Sequence, residues 1–136
     1  MKMTKTELGD FLNSIRIGTL YSLNNDGLPN ALPLWCDWDG EKIRMFTTRD
    51  TGKVRRLAQD PRAYLSVAEL VGVSEAWVTF EGTVEILDDG SRELACRLAK
   101  LYYEPEPASR TIDAWTKAGN RVLLELTPTC ITIERG

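Results

Sequence analysis

Two tight-turn signals punctuate the first third of the chain, Asn24-Asn25-Asp26-Gly27 and Asp39-Gly40. Asp-Gly pairs accept the positive φ that a tight hairpin demands, and each pair here lies between β-forming runs. Residues 17–23 are β-branched and aromatic, residues 31–38 supply a second strand and residues 42–48 a third. Read along the chain, the three form an antiparallel meander.

Helices are set among further strands. Thr4-Lys5-Thr6-Glu7 has capping-box spacing, and Leu8, Phe11, Leu12 and Ile15 recur at helical intervals, which predicts a helix over 5–15. A second helix, 52–59, stops at Asp60-Pro61 because proline cannot continue it. Residues 62–69 and 75–87 read as strands, and Gly82 inside the second marks a bulge or a close backbone approach. After Asp88-Asp89-Gly90-Ser91 a helix carries Leu94, Leu98 and Leu101 on one side. Glu104-Pro105-Glu106-Pro107 interrupts it, a short helix follows at 112–117, and a last strand spans 122–133, broken near Pro128. The expected fold is mostly β with peripheral helices (α+β), a six-stranded antiparallel barrel, closed or partly closed, in one domain covering 1–136.

Composition narrows the function. No run approaches the ~20 apolar residues of a membrane helix, and the N-terminus lacks the apolar core of a signal peptide. Cys36, Cys96 and Cys130 show no metal-ligand spacing and read as reduced thiols of a cytoplasmic protein that holds no metal. The formal net charge is -3, which argues against a nucleic-acid partner. The chain has no histidine at all. That removes Ser-His-Asp and Cys-His catalysis, the common catalytic zinc sites and imidazole acid–base chemistry.

One cationic stretch stands out against the acidic balance. Thr47-Thr48-Arg49-Asp50-Thr51-Gly52-Lys53-Val54 runs through a hydroxyl-rich turn into the second helix, and Arg55, Arg56 and Leu57 follow. Unpaired N–H groups and the positive end of the helix dipole gather at such a start, so threonine hydroxyls and a lysine there suit a phosphate. It is not a Walker P-loop, because the upstream glycine is missing and Val54 stands where a magnesium ligand is needed. The same residues also fit an ordinary capped, solvated helix start. Arg49, Arg55, Arg56 and Arg62 cannot all reach one phosphate. Arg49 and Arg56 are placed on faces other than that of Lys53, and at least two of the four are expected in ion pairs or on a solvated face.

In order and spacing the chain resembles the flavin-nucleotide split-barrel family, the pyridoxamine 5'-phosphate oxidase-like proteins and their deazaflavin-dependent reductase relatives. The matching pieces are Gly18-Thr19-Leu20, Asp26-Gly27-Leu28-Pro29, Leu32-Pro33-Leu34-Trp35, Asp39-Gly40 and Thr47-Thr48. They continue through Lys53-Val54-Arg55-Arg56-Leu57, Asp60-Pro61-Arg62, and Trp77 with Gly82 five residues on. The resemblance implies an FMN-binding split barrel. Its second strand (Leu32, Pro33, Leu34 and Trp35) lies along the flavin ring. Thr47, Thr48, Lys53 and Val54 gather at the phosphate, and Trp77 meets the cofactor. It also implies a homodimer with the cofactor at the subunit interface and a small-molecule substrate. The 8-hydroxy-5-deazaflavin coenzyme is the alternative cofactor. The vitamin B6 oxidases carry an Arg before the flavin-lining strand and a Lys at its end, where this chain has Asn30 or Ala31 and Trp35 or Cys36. Their Arg-Lys pair at the helix start is Gly52-Lys53 here, and their C-terminal substrate-binding segment has no counterpart, so the pattern stands closer to the reductase branch.

The bland readings stand beside these. Trp35 and Trp38 fall on opposite faces of one strand, one for the core and the other for a groove or contact. Trp77 shares a mixed face with Thr79 and Glu81, while Trp115, Tyr102 and Tyr103 read as packing residues. Glu75 and Glu81, like Asp37 and Asp39, have no spacing that demands paired-carboxylate chemistry. With no catalytic constellation in the side chains, a bound flavin would supply the hydride chemistry. The expected function is a flavin-nucleotide-dependent oxidoreductase, with a deazaflavin-dependent reductase or a non-catalytic flavin-binding protein as the alternatives.

Overall fold

The computed structural model describes residues 5–13, 17–68, 76–102 and 120–135. In chain order the elements are α1 (Lys5–Asn13), β1 (Ile17–Leu23), β2 (Pro29–Trp35), β3 (Asp37–Trp38), β4 (Ile43–Thr48) and α2 (Gly52–Gln59). They continue with β5 (Arg62–Ala68), β6 (Ala76–Leu87), α3 (Ser91–Tyr102) and β7 (Arg121–Arg135). Thr4, Ile15, Glu75, Tyr103, Trp115 and the expected short helix at 112–117 lie outside the described residues, as does the side chain of Tyr102.

The strands form one seven-stranded antiparallel sheet in the order β2-β1-β5-β6-β7-β4-β3. Its two edge strands, β2 and β3, are consecutive in the chain, with only Cys36 between Trp35 and Asp37. A flat sheet of this order would hold those ends several strand widths apart, since neighbouring strands are about 4.8 Å apart. The sheet therefore curls until its edges meet, which makes it a split barrel. Cys36 sits buried at the junction, and burial pushes its thiol up to about 12, so it remains a neutral packing group. Gly18 makes room for it: a Cβ at Gly18 would stand 3.2 Å from the Cys36 sulfur and 3.0 Å from Leu65 Cδ1.

This geometry corrects the expected meander. β1 and β2 form one hairpin and β3 and β4 another, but β2 does not pair with β4, whose ladder partner is β7. The expected strand over 31–38 splits at Cys36, and its tail becomes the two-residue seventh strand. The second hairpin is held by Asp39. Its Oδ1 accepts the N–H groups of Glu41 and Lys42 at 2.8 and 2.7 Å, and its Oδ2 lies 2.7 Å from Arg44 Nη1. Burial works against the charge, yet those N–H groups and Arg44 hold the carboxyl below its usual range.

Alternation along the strands fills the barrel. Leu20, Ile43, Met45, Leu65, Val67, Val78, Phe80, Leu124 and Leu126 point inward and are almost wholly buried. Leu8, Phe11 and Leu12 of α1 and Val54 and Leu57 of α2 join the same core. On the outside, α3 seats Leu94 and Leu98 against Leu123, with Trp35, Phe46 and Leu87 packed around them. Trp38 instead packs on Phe80 in the main core, ring centroids 5.4 Å apart. The two tryptophans thus serve opposite faces, as alternation requires.

β7 runs unbroken past Pro128, where the sequence points to an interruption. The proline is accommodated by a register shift: Glu81 pairs with Cys130 and Gly82 with Pro128, which leaves Thr129 as the extra residue of a bulge. The Thr129 hydroxyl donates to the Glu81 carbonyl at 3.1 Å. A Cβ at Gly82 would overlap the Thr127 carbonyl oxygen, so the backbones approach too closely here for any side chain. Gly82→Ala should therefore force the longest strand pair apart and destabilise the protein by about 1–3 kcal/mol, as overpacking typically does. A lowered urea midpoint checks this; an unchanged midpoint would show that β6 and β7 separate freely.

Candidate functional site

Where the two sheet edges meet, the outer strands leave a cleft of about 380 Å³. Pro33, Leu34 and Trp35 of β2 form one wall, and Phe46, Thr47 and Thr48 of β4 the other. Ile17 and Arg121 complete it at the starts of β1 and β7. Trp35 meets Phe46 edge to face, centroids 6.4 Å apart at 68°, so the two sides of the cleft meet in an aromatic wall. The Arg121 guanidinium lies 5.8 Å from the Phe46 ring centroid, where burial lowers its pKa.

The cationic helix start reaches this cleft through Thr47, which lines it. Lys53 Nζ donates to the Thr47 hydroxyl at 2.6 Å. Burial and the neighbouring Arg56 charge hold the Lys53 pKa below the ordinary lysine value. Arg56 folds back across α2: Nε donates to Ser22 Oγ at 3.2 Å and Nη2 to Asn30 Oδ1 at 2.7 Å. Its Nη1 would lie 3.0 Å from a Cβ on Gly52, which puts it beside the first turn. Among the described residues neither Lys53 nor Arg56 forms an ion pair with a carboxylate, and every partner they have is neutral.

The helix N-terminus itself is uncapped. Thr51 occupies the cap position but makes no capping bond, because its hydroxyl donates to the Thr48 carbonyl at 3.0 Å. The first helical bond runs from Arg55 N–H to Thr51 carbonyl at 3.2 Å, so the N–H groups of Gly52, Lys53 and Val54 precede the ladder. The turn before them is pinned from two sides. Arg49 N–H donates to the Asn120 carbonyl at 2.8 Å, and Asn120 Nδ2 to Asp50 at 2.7 Å. Arg49 also pairs with Asp88. Backbone donors, two cations and a hydroxyl in a pinned turn can hold a dianion, and the aromatic wall beside them can take a flat ring. The residues present thus fit a phosphorylated flavin.

The structure brings together most of the sequence-derived candidates but not all. Pro33, Leu34, Trp35, Thr47 and Thr48 line the cleft, with Lys53 bonded to Thr47. Leu32 pairs with Leu20 and faces inward beside it, half-buried. Val54 is buried in the core, so only its backbone N–H is offered at the helix start. Trp77 lies elsewhere, on the outer sheet face in a groove of about 860 Å³ with Tyr21 and Tyr64.

Two of the four arginines behave as expected, Arg49 pairing with Asp88 and Arg62 with Asp60 at 2.7 Å. Arg56 does not. It stands three residues from Lys53, nearly one turn, so the two share a side of the helix, and the expectation of different faces is overturned. That spacing was readable in the sequence. Arg121 and Phe46 carried no such signal, because they reach the cleft only through the pairing of β4 with β7.

The sequence matches the pyridoxamine 5'-phosphate oxidase family over residues 4–133. No curated protein matches the chain. Among solved structures, Mycobacterium tuberculosis protein Rv2991 superposes with a TM-score of 0.77 at 26% identity, over 99% of this chain and 86% of that one. An F420 reductase gives 0.72 at 25% identity, over 90% and 94%. General stress protein 26 of Bacillus anthracis gives 0.66 at 17% identity, over 97% and 98%, a likeness of fold. A family match across nearly the whole length, on a barrel split at the seam that carries the cationic helix start, means that this chain belongs to the pyridoxamine 5'-phosphate oxidase family.

Proposed function

We propose that the protein is a flavin-nucleotide-dependent oxidoreductase that moves a hydride to or from a small molecule through bound FMN. The observation that carries this reading is the seam itself: a cationic helix start without carboxylate partners among the described residues is bonded to Thr47, and Thr47 lines the cleft that the Trp35 and Phe46 rings also line. Lys53, the Thr47 and Thr48 hydroxyls and the N–H groups at the start of α2 would hold the phosphate. Arg56 would add charge from the same side of the helix, and Pro33, Leu34 and Trp35 would lie along the ring. When bound, the flavin supplies the hydride chemistry, and the protein's part is to orient the ring and exclude water. Cys36 is unsuited to acid–base work because its thiol stays protonated near neutral pH. The three thiols are free, which suits a cytoplasmic setting.

A deazaflavin is the second reading, favoured by the likeness to a solved F420 reductase at 25% identity. Titration with FMN and with the 8-hydroxy-5-deazaflavin coenzyme separates the two. The tighter ligand, reduced by a nicotinamide nucleotide or a substrate, names the cofactor. Binding of either without any turnover would mark a flavin-binding protein rather than an enzyme. Lys53→Ala removes a charge-assisted bond of roughly 1.5–3 kcal/mol, so affinity should fall about 10- to 100-fold. An unchanged affinity rules out the phosphate assignment. Since the ammonium is the binding form and its pKa is lowered, affinity should hold above the second phosphate ionisation, at about pH 6, for as long as Lys53 stays protonated. It should decline as pH rises through that pKa, and the decline should vanish in Lys53→Ala.

The assembly is proposed as a homodimer. The outer face of β1, β5 and β6 carries Tyr64 and Trp77 at 38% and 39% exposure along a broad groove. A second copy packed there would shield them and bring Trp77 toward the cofactor of its neighbour. Light scattering should give twice the chain mass, and Trp77→Glu should lower both the mass and flavin affinity. A monomer that binds flavin tightly would refute the shared site.

A further inference from the structure

α3 touches the candidate cleft without lining it. Leu94 and Leu98 seat the helix on Leu123, and Trp35 and Phe46, the two rings of the cleft wall, pack into that same cluster. Arg97 lies beside Leu98 on the helix and reaches the corner of the barrel. Its Nη1 and Nη2 donate to the two carboxylate oxygens of Asp37 at 3.0 and 2.8 Å. The Asp37 side chain is only 11% exposed, while that of Arg97 is 60% exposed. An exposed ion pair contributes little to stability, but a two-pronged pair on a shielded carboxylate fixes direction. The thing it fixes is the seam. Asp37 follows Trp35 by two residues, with the buried Cys36 between them, and Trp35 stands edge-on to Phe46.

We propose that Arg97 is a positioning residue of the cleft. By clamping Asp37 it sets the Cys36 corner so that Trp35 stands against Phe46 as a ready wall for a planar ring. The inference rests on the flavin reading of the seam, and the experiment separates the two. Protein labelled with 5-fluorotryptophan gives one fluorine resonance per tryptophan, assigned with W35F and W38F. In Arg97→Gln and in Asp37→Asn the Trp35 resonance should shift or broaden while that of Trp38, packed on Phe80, stays in place. Affinity for riboflavin, which has the ring but no phosphate, should fall about tenfold along with that for FMN. The double variant should be no worse than either single one, because both remove the same contact. Arg97→Lys should fall between, and Lys53→Ala should weaken FMN but spare riboflavin. An unmoved Trp35 resonance in both single variants overturns the proposal, as does a moved resonance with unchanged riboflavin affinity. If the unaltered protein binds neither flavin, the cofactor reading fails, while a Trp35 shift in Arg97→Gln still upholds the clamp.

Discussion

A single buried residue joins the two edges of the sheet, and most of the structure follows from that short connection. β2 and β3 stand at opposite ends of the strand order, yet Cys36 alone separates them in the chain. The hydrogen-bonded order and the covalent link are compatible only in a curled sheet. Curling creates an interior for Leu20, Met45, Leu65, Phe80 and Leu124, and it also creates a seam where β2 and β4 approach without pairing. Unpaired sheet edges normally invite other chains. Here they face each other across a cleft, so the feature that closes the barrel also supplies the candidate site.

Charge is distributed so that the seam stays cationic in a chain of net charge -3. Among the described residues, carboxylates neutralise several of the other cations: Asp60 takes Arg62, Asp88 takes Arg49, Asp37 takes Arg97, and Asp39 and Glu125 share Arg44 while Glu125 also meets Lys42. Lys53 and Arg56 meet only a threonine, a serine and an asparagine. Burial and the neighbouring Arg56 charge both disfavour the Lys53 ammonium, and its pKa is lowered accordingly. An anion bound beside them would offset that cost.

Much of this was legible along the chain. The turns at Asp26-Gly27 and Asp39-Gly40, the alternation in β1 and β4 and the stop at Asp60-Pro61 are local, and the observed elements agree with them to within a few residues. The helix start with Lys53 was equally local. Cys36 as a corner was not legible, because a buried cysteine between two tryptophans reads as one continuous strand. The bulge at Gly82 was half visible: glycine announced a close approach, but only the facing Pro128 explains it.

The sequence by itself determined most of the local elements, the absence of histidine chemistry and the cationic, hydroxyl-rich turn, since each depends on neighbours within a few residues. Tertiary structure alone decided that β2 and β4 share a cleft, that Arg121 and Phe46 join it, and that Trp77 stands outside it on another face. It also decided that Arg97 reaches Asp37 across the barrel corner. Those relations depend on strand order and register, which long-range pairing sets and no local pattern encodes.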